Sequence, residues 1–312
     1  MVKFLTVLPE FIPSSSVKDT INQILPEMEI VNNLEFEKND ADVLVATTFT
    51  RLGRKELEKF PNLKYLQIAS TGVDNVDLSY IKEKGITICN IPIANKQSVA
   101  EHVIAFILVF LKDMVFLNAE LKERKSWPIL TGSRDLEGKS VGILGMGMIG
   151  VQLSKRLLPF GPSLLYYDVR RLSTDEEEML GLNYVTFDEL LANSDVISVH
   201  MPLTKDTRGL FDERTFSKMK EGAIFINTSR GEIVDENALI NAVKKKGIKA
   251  GIDVYTKEPP DFDSELFKLE NVICSPHIAG VTAESQQRFL TETISNVLRY
   301  AQGIDPLYKV EL

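Results

Sequence analysis

The stretch SVGILGMGMIG, residues 140–150, decides the fold. An apolar run of strand type ends directly in Gly145, Gly147 and Gly150, spaced G-x-G-x-x-G, and a helical pattern from Val151 to Leu158 follows. Strand, glycines and helix in that order are what a dinucleotide-binding turn requires. Gly145 permits the tight turn, Gly147 lets the backbone approach a pyrophosphate, and Gly150 lets the helix pack on the strand. The first amides of that helix are then aimed at the anion. The next strand ends in LLYYDVRR, which places Asp168 about 20 residues beyond the glycines. A carboxylate at that point accepts both ribose hydroxyls and repels a 2′-phosphate, favouring NAD over NADP, although Arg170 and Arg171 lie close by.

Outward from this stretch, short apolar runs alternate with helical patterns along nearly the whole chain. Strands are predicted at Lys3 to Leu8, Val43 to Thr47, Tyr65 to Ala69 and Ile86 to Asn90. A second series is predicted at Val141 to Leu144, Leu164 to Tyr167, Val196 to Val199, Ala223 to Asn227, Ala250 to Val254 and Val272 to Cys274. Segments such as Val17 to Leu25 and Glu236 to Lys246 have helical spacing and charged outer faces. Nearly all-apolar strands separated by helices indicate parallel sheets covered on both faces, an α/β class. At 312 residues the chain exceeds a typical single domain. The reading is two doubly wound, Rossmann-like domains. A long helix from Ser98 to Glu120 carries the chain into the second sheet, and a last helix, Ala283 to Gln302, returns to the first. The expected division is residues 1–97 and 284–312 in one discontinuous domain, with residues 98–283 inserted as the nucleotide-binding domain.

Composition excludes several classes. A hydrophobic content of 44% and charged content of 26% are those of a globular enzyme. A net charge of −8 argues against a nucleic-acid partner, and Lys244, Lys245 and Lys246 close an amphipathic helix, where cations suit the dipole. The two cysteines, Cys89 and Cys274, each sit in an apolar run, which fits buried thiols in a reducing, cytoplasmic compartment. The N-terminal MVKFLTVLPEF has no h-region of a signal peptide. The longest apolar run, Val103 to Leu111, falls far short of the ~20 residues that span a bilayer.

Ligands of open parallel sheets bind beyond the carboxyl ends of the strands. Three such ends carry chemistry: Arg230 after AIFINTS, Asp253 and Glu258 in GIDVYTKEPP, and His277 in VICSPHIAG. Taken alone, Arg230 reads as a strand-end cation reaching into water. Redox chemistry on a 2-hydroxy acid, however, needs a cation to hold and polarise the substrate, a base for the hydroxyl proton and a carboxylate to tune that base. Arginine suits the first role because its planar fork pairs with carboxylate or carbonyl oxygens and never loses its charge. Of the three histidines, His102 begins the long helix and reads as structural, while position alone does not separate His200 from His277. No cluster of metal ligands is visible.

The blocks GILGMGMIG, VHMPLTKDT, INTSRGEIVDE, GIDVYTKEPP and SPHIAG, in this order, resemble the D-isomer-specific 2-hydroxyacid dehydrogenase family. STGVDNVDL and SVAEH extend the resemblance to most of the chain. The resemblance implies an NAD domain inserted into a discontinuous, flavodoxin-like substrate domain, usually in a homodimer. It implies that Arg230 orients the substrate's carboxylate and carbonyl, that His277 is the general acid/base, and that Glu258 hydrogen-bonds and tunes it. The backbone amides of Thr71 and Gly72 would grip the substrate carboxylate. Met148 and Ile149 would lie by the pyrophosphate, and Thr228, Ser229 and Asp253 near the nicotinamide. His200, Met201, Pro202 and Gly280 would join the cofactor wall, with Gly231 making the turn behind Arg230.

Within the family, TGVDNVDL and KEPP resemble phosphoglycerate dehydrogenases, whose arginine after the second N-terminal strand is replaced here in Val45-Ala46-Thr47. Arg51 and Arg54 lie nearby. The expectation is therefore a small unphosphorylated acid of the glyoxylate, hydroxypyruvate or glycerate type, with the 3-phosphoglycerate reaction as the alternative. Glu258 stands where formate dehydrogenases of the superfamily carry glutamine. A corepressor-like role, sensing NAD and binding protein partners, is the reading from a different class, and no disordered regulatory tail supports it.

Overall fold

In the computed structural model residues 2–10, 15–129 and 132–312 are described, residues 15–17 by their backbone alone. Met1 and Phe11, at the two ends of the N-terminal stretch read for a leader, lie outside the described residues. The chain divides into two compact units: Met1–Asn95 with Val281–Leu312, and Lys96–Gly280.

The first unit begins with β1 (Phe4–Val7), α1 (Ser15–Ile24), β2 (Met28–Val31) and β3 (Val43–Ala46). It continues with α2 (Arg54–Leu57), β4 (Tyr65–Ile68), α3 (Leu78–Lys84) and β5 (Thr87–Cys89). The five strands form a parallel sheet in the order β2-β1-β3-β4-β5. β1, β3 and β4 are buried at every position, as a sheet covered on both faces requires. β2 has no counterpart among the predicted strands. It is an edge strand, MEIV, with Glu29 exposed, so it lacks the continuous apolar run that marks a central strand. The C-terminal helix Ala283–Ala301 completes this unit. Its buried Asn296 donates to Gln67 Oε1 (3.1 Å) and the Leu307 carbonyl (2.9 Å), and Tyr300 stacks on Tyr65 at 4.5 Å. These contacts tie the last helix to β4.

The second unit contains α4 (Lys96–Leu111), α5 (Met114–Lys122), β6 (Ser140–Leu144), α6 (Met148–Leu157), β7 (Ser163–Tyr167), α7 (Thr174–Leu180) and β8 (Leu182–Tyr184). It goes on through α8 (Phe187–Asn193), β9 (Val196–Val199), α9 (Glu213–Lys218), β10 (Ile224–Asn227), α10 (Glu236–Lys246), β11 (Lys249–Ile252) and β12 (Val272–Cys274). The sheet is parallel throughout, in the order β12-β11-β10-β9-β6-β7-β8. Alternate residues feed two cores, one on each face. Leu144, Ile197, Val199 and Phe225 pack on one side, and Val141, Ile143, Val196, Ile224 and Ile226 on the other. The single helix expected from Ser98 to Glu120 is two helices. Asp113 adopts left-handed backbone (φ 49°), which no α-helix continues through, and α5 restarts after it. β8, a half-exposed edge strand, is again one that the apolar-run criterion misses. No helix among the described residues is long and apolar enough to cross a membrane.

The chain starts at β6, moves out through β7 and β8, then returns to the other side of β6 at β9. The strand order reverses between β6 and β9, the position where doubly wound sheets open a crevice for ligands.

Candidate active site

Because all strands of the seven-stranded sheet run the same way, the residues following their carboxyl ends share one edge. Gly145 follows β6 with φ 95°, and a Cβ there would meet the His200 carbonyl at 2.8 Å, across the reversal point. A Cβ on Gly150 would lie 2.3 Å from the Gly145 oxygen. Both glycines are thus required by the protein's own packing. Gly147 is different: it caps α6 in extended backbone, and nothing lies within 4 Å of its missing Cβ. Open space over the first amides of α6 suits an anion. Met148, 47% exposed, and the half-buried Ile149 begin that helix.

Asp168 follows β7. Its Oδ2 accepts from the Met146 N–H (2.7 Å) and its Oδ1 from the Arg170 N–H (3.0 Å), so it braces the glycine turn and still has acceptor capacity for a diol. Arg171 is committed elsewhere. Its fork donates to both oxygens of Glu177 (2.8 and 3.0 Å) and its guanidinium lies over the Tyr184 ring. The hydrogen bonds from Arg171 and from the Tyr166 hydroxyl hold the Glu177 carboxyl down at about 2.

His200 and Thr228 follow β9 and β10. Burial holds the His200 imidazole down at about 4, so it is neutral near pH 7. Its Nε2 lies 2.9 Å from Ser198 Oγ, while its buried Nδ1 and the buried Thr228 Oγ1 have no hydrogen-bond partner among the described residues. Orphaned polar atoms of this kind are costly unless a ligand satisfies them. Together with the open amides at Gly147 and the carboxylate at Asp168, they fit a dinucleotide. Met201 and Pro202 continue the loop after His200.

The other half of the edge carries the ionisable groups. Asn227, 1% exposed, shapes the turn after β10. Its Oδ1 accepts from the Ser229 N–H (3.0 Å) and Oγ–H (2.8 Å), and its Nδ2 donates to the Arg230 carbonyl (2.9 Å). Arg230 Nη1 donates to the Ser229 carbonyl at 2.7 Å, which orients the guanidinium. The Glu258 Oε1 accepts from the Tyr255 N–H (3.1 Å), and its Oε2 lies 2.7 Å from His277 Nδ1. Burial by itself would raise the Glu258 carboxyl. The His277 hydrogen bond and charge, the Tyr255 amide and the Arg230 charge outweigh it and hold the group below its ordinary value. Arg230, Glu258 and His277 therefore form one electrostatic cluster, and the pair is reachable from solution, with side chains 36% and 32% exposed.

His277 has φ 55°. Left-handed backbone costs a non-glycine residue about 1–2 kcal/mol. It is opposed here by bonds from the His277 N–H to the carbonyls of Asp253 (2.7 Å) and Ser275 (3.1 Å). Asp253, 1% exposed, also takes the Ile278 and Ala279 N–H groups on its two carboxylate oxygens, both at 2.9 Å. Gly280 ends the unit just beyond. Thr71 and Gly72 belong to the other compact unit, in the turn after β4. Thr71 Oγ1 donates to Asn95 Oδ1 (2.9 Å), and the Thr71 carbonyl accepts from Asn90 Nδ2 (2.6 Å). The sequence placed Asn227 only as the last residue of a strand and singled out no role for Ser275. The signal for Asn227 is local, an Asx turn of the type N-x-S. Ser275 has no comparable local signal.

Fold and edge together define a dinucleotide-binding protein with an Arg, Glu and His cluster on the same sheet edge as its glycine turn. Residues 104–279 match the family model described as D-isomer specific 2-hydroxyacid dehydrogenase, NAD binding domain. The chain is 36% identical over 285 residues to a hydroxypyruvate reductase of Thermotoga maritima, covering 90% of this chain and 88% of that one. It is 38% identical over 264 residues to a D-3-phosphoglycerate dehydrogenase of Archaeoglobus fulgidus, covering 84% of this chain and 50% of that one. This chain thus spans about half the length of the Archaeoglobus relative. Among solved structures, the D-lactate dehydrogenase of Aquifex aeolicus complexed with NAD and lactic acid superposes with a TM-score of 0.84 and 33% identity, over 96% of this chain and 95% of that one. The chain belongs to the D-isomer specific 2-hydroxyacid dehydrogenase family.

Proposed function

We propose that the protein is an NAD-dependent D-2-hydroxyacid dehydrogenase acting on a small unphosphorylated acid, of the glyoxylate, hydroxypyruvate or glycerate type. The observation that carries this reading is the Glu258–His277 pair at 2.7 Å, with the Arg230 charge acting on the same carboxylate. NAD, when bound, supplies or accepts the hydride. Gly147 and the first amides of α6 would hold its pyrophosphate, Asp168 its ribose, and His200, Thr228 and Ser229 would flank it. Arg230 binds the substrate's carboxylate and polarises its carbonyl through its planar fork. Glu258 fixes His277 through Nδ1, which leaves Nε2 to give its proton to the carbonyl oxygen in reduction and to take it back in oxidation. Preference for NAD over NADP is supported by the Asp168 carboxylate and by the engagement of Arg171 with Glu177.

The relatives' names cover phosphorylated and unphosphorylated acids. Arg54, which could have served a phosphate, pairs with Glu83 at 2.8 Å and lies over Tyr80, which favours the unphosphorylated class. A homodimer belongs to the same reading. Met114, Val115, Phe116 and Leu121 on α5 and Trp127 after it are large apolar side chains exposed to solvent, and a protomer mass in light scattering would refute it. Cys89 and Cys274 are free thiols, both raised above the ordinary value by burial, which is consistent with a reducing cytoplasm.

The deciding experiment is NADH oxidation with glyoxylate, hydroxypyruvate, pyruvate and phosphohydroxypyruvate, alongside His277→Ala. Turnover with an unphosphorylated acid is expected, and His277→Ala should lower kcat at least ~100-fold while NADH still binds. No turnover with any of the four overturns the reading, and a strong preference for phosphohydroxypyruvate overturns the substrate class.

A further inference from the structure

Behind the loop that carries His277, two side chains to which the reaction above gives no task, Ser275 and His102, lead to Asp253. Ser275 Oγ lies 2.5 Å from Asp253 Oδ1, and His102 Nε2 lies 3.0 Å from Ser275 Oγ. The bond directions follow from chemistry. Both Asp253 oxygens act as acceptors, taking Ile278 and Ala279 N–H groups, so the Ser275 hydroxyl donates to Oδ1. The Ser275 oxygen is then the acceptor for His102, whose proton must sit on Nε2.

The position of His102 is set by packing. Gly251 in β11 would place a Cβ 2.8 Å from the Phe106 ring, so the missing side chain lets α4 seat directly on the strand. One turn earlier on the same helix, His102 meets the Phe106 ring edge-on at 4.7 Å and stands over the end of β11, where Asp253 begins the loop. The backbone N–H groups of His277, Ile278 and Ala279 all end on Asp253, the first on its carbonyl. Whatever fixes Asp253 therefore fixes His277, whose φ of 55° makes that loop dependent on its hydrogen bonds.

We propose that His102 and Ser275 are positioning residues: the chain His102–Ser275–Asp253 holds loop 275–279 in the conformation that presents His277 to Glu258 and to substrate. This rests on His277 being the acid/base. It assigns a task to a histidine on a helix remote in sequence from every other site residue.

The test uses His102→Phe, which keeps ring volume, Ser275→Ala, and His102→Gln, which keeps a side-chain N–H donor. Three quantities are read: steady-state kinetics with the keto acid the wild type reduces, NADH affinity by fluorescence, and amide hydrogen exchange of peptides covering 275–280. His102→Phe and Ser275→Ala should speed exchange of the 277–279 amides about tenfold or more, with the rest of the unit unchanged. They should lower kcat about 10–100-fold and leave KM and NADH affinity within about threefold. His102→Gln should recover most of the loss. Wild-type exchange and kcat in the first two variants overturn the proposal, as does a loss that spreads through the whole unit and is not rescued by His102→Gln. Should the wild type reduce no keto acid, the acid/base reading falls, and the exchange data alone still support or overturn the hold of His102 and Ser275 on the loop.

Discussion

Replacing Gly231 by alanine should disable the site without touching an ionisable group. Gly231 follows Arg230, and its added Cβ would stand 2.0 Å from the Tyr255 carbonyl carbon, 2.3 Å from its oxygen and 2.4 Å from the Thr256 nitrogen. All three are backbone atoms, so no side chain can swing aside. Non-bonded carbon contacts relax only beyond ~3 Å, so the two segments must part by about 1 Å. Neither moves alone. Arg230 is held by the Asn227 amide on its carbonyl, and Tyr255 by its N–H to Glu258 and its hydroxyl to the Ser275 carbonyl at 3.0 Å. The displacement therefore reaches Arg230 on one side and the Glu258–His277 pair on the other. Overpacking of this kind costs about 1–3 kcal/mol. For a unit of this size that lowers Tm by about 2–4 °C per kcal/mol, or roughly 2–12 °C. A misplacement of 1 Å at a reacting group costs on the order of 100-fold in rate. Thermal melts, NADH titration and steady-state kinetics on Gly231→Ala should together show a modest Tm loss, near-normal NADH binding and kcat/KM down about 100-fold. A variant with the expected Tm loss but wild-type kcat/KM would refute the claim that the Arg230 and Glu258 segments set the rate through their contact.

Glu177→Gln should release Arg171 and raise the kcat/KM ratio of NADPH to NADH about tenfold, the effect of one charge-assisted hydrogen bond of ~1.5 kcal/mol. An unchanged cofactor ratio would mean that Arg171 does not reach the 2′ position. Glu258 is held below its ordinary value in the folded protein. Its contribution to stability is thus present above the unfolded value of about 4.3 and lost as pH falls through the folded one. The fall in Tm below about pH 4.3 should therefore be shallower in Glu258→Gln than in the wild type. Parallel acid limbs would show that the pair adds no stability.

What could be read from the chain, and what could not, follows from how the two kinds of information are encoded. A parallel sheet buried on both faces must be built from apolar runs. β6, β9 and β10 therefore announce themselves, and because every strand points the same way, the residue after each run lands on one edge. The places of Gly145, Arg230 and His277 on that edge were legible for that reason, although position alone did not separate His277 from His200. Edge strands β2 and β8 were not, since an edge is half polar, and neither was the break at Asp113, where left-handed backbone interrupts an otherwise helical pattern. Gly231 was legible as a glycine but not for its cause. It reads as a turn residue, whereas the structure requires it for the close approach of the Tyr255 backbone. The same limit hides His102 most completely. Its hydrogen-bond partner is 173 residues away, and nothing in SVAEH distinguishes a ring that fills a helix face from one that donates to Ser275. Periodicity records which face of an element is buried, and the fold alone decides which atoms that face meets. Side chains at strand ends leave a pattern in the sequence, while their hydrogen-bond partners are scattered through the core and leave none.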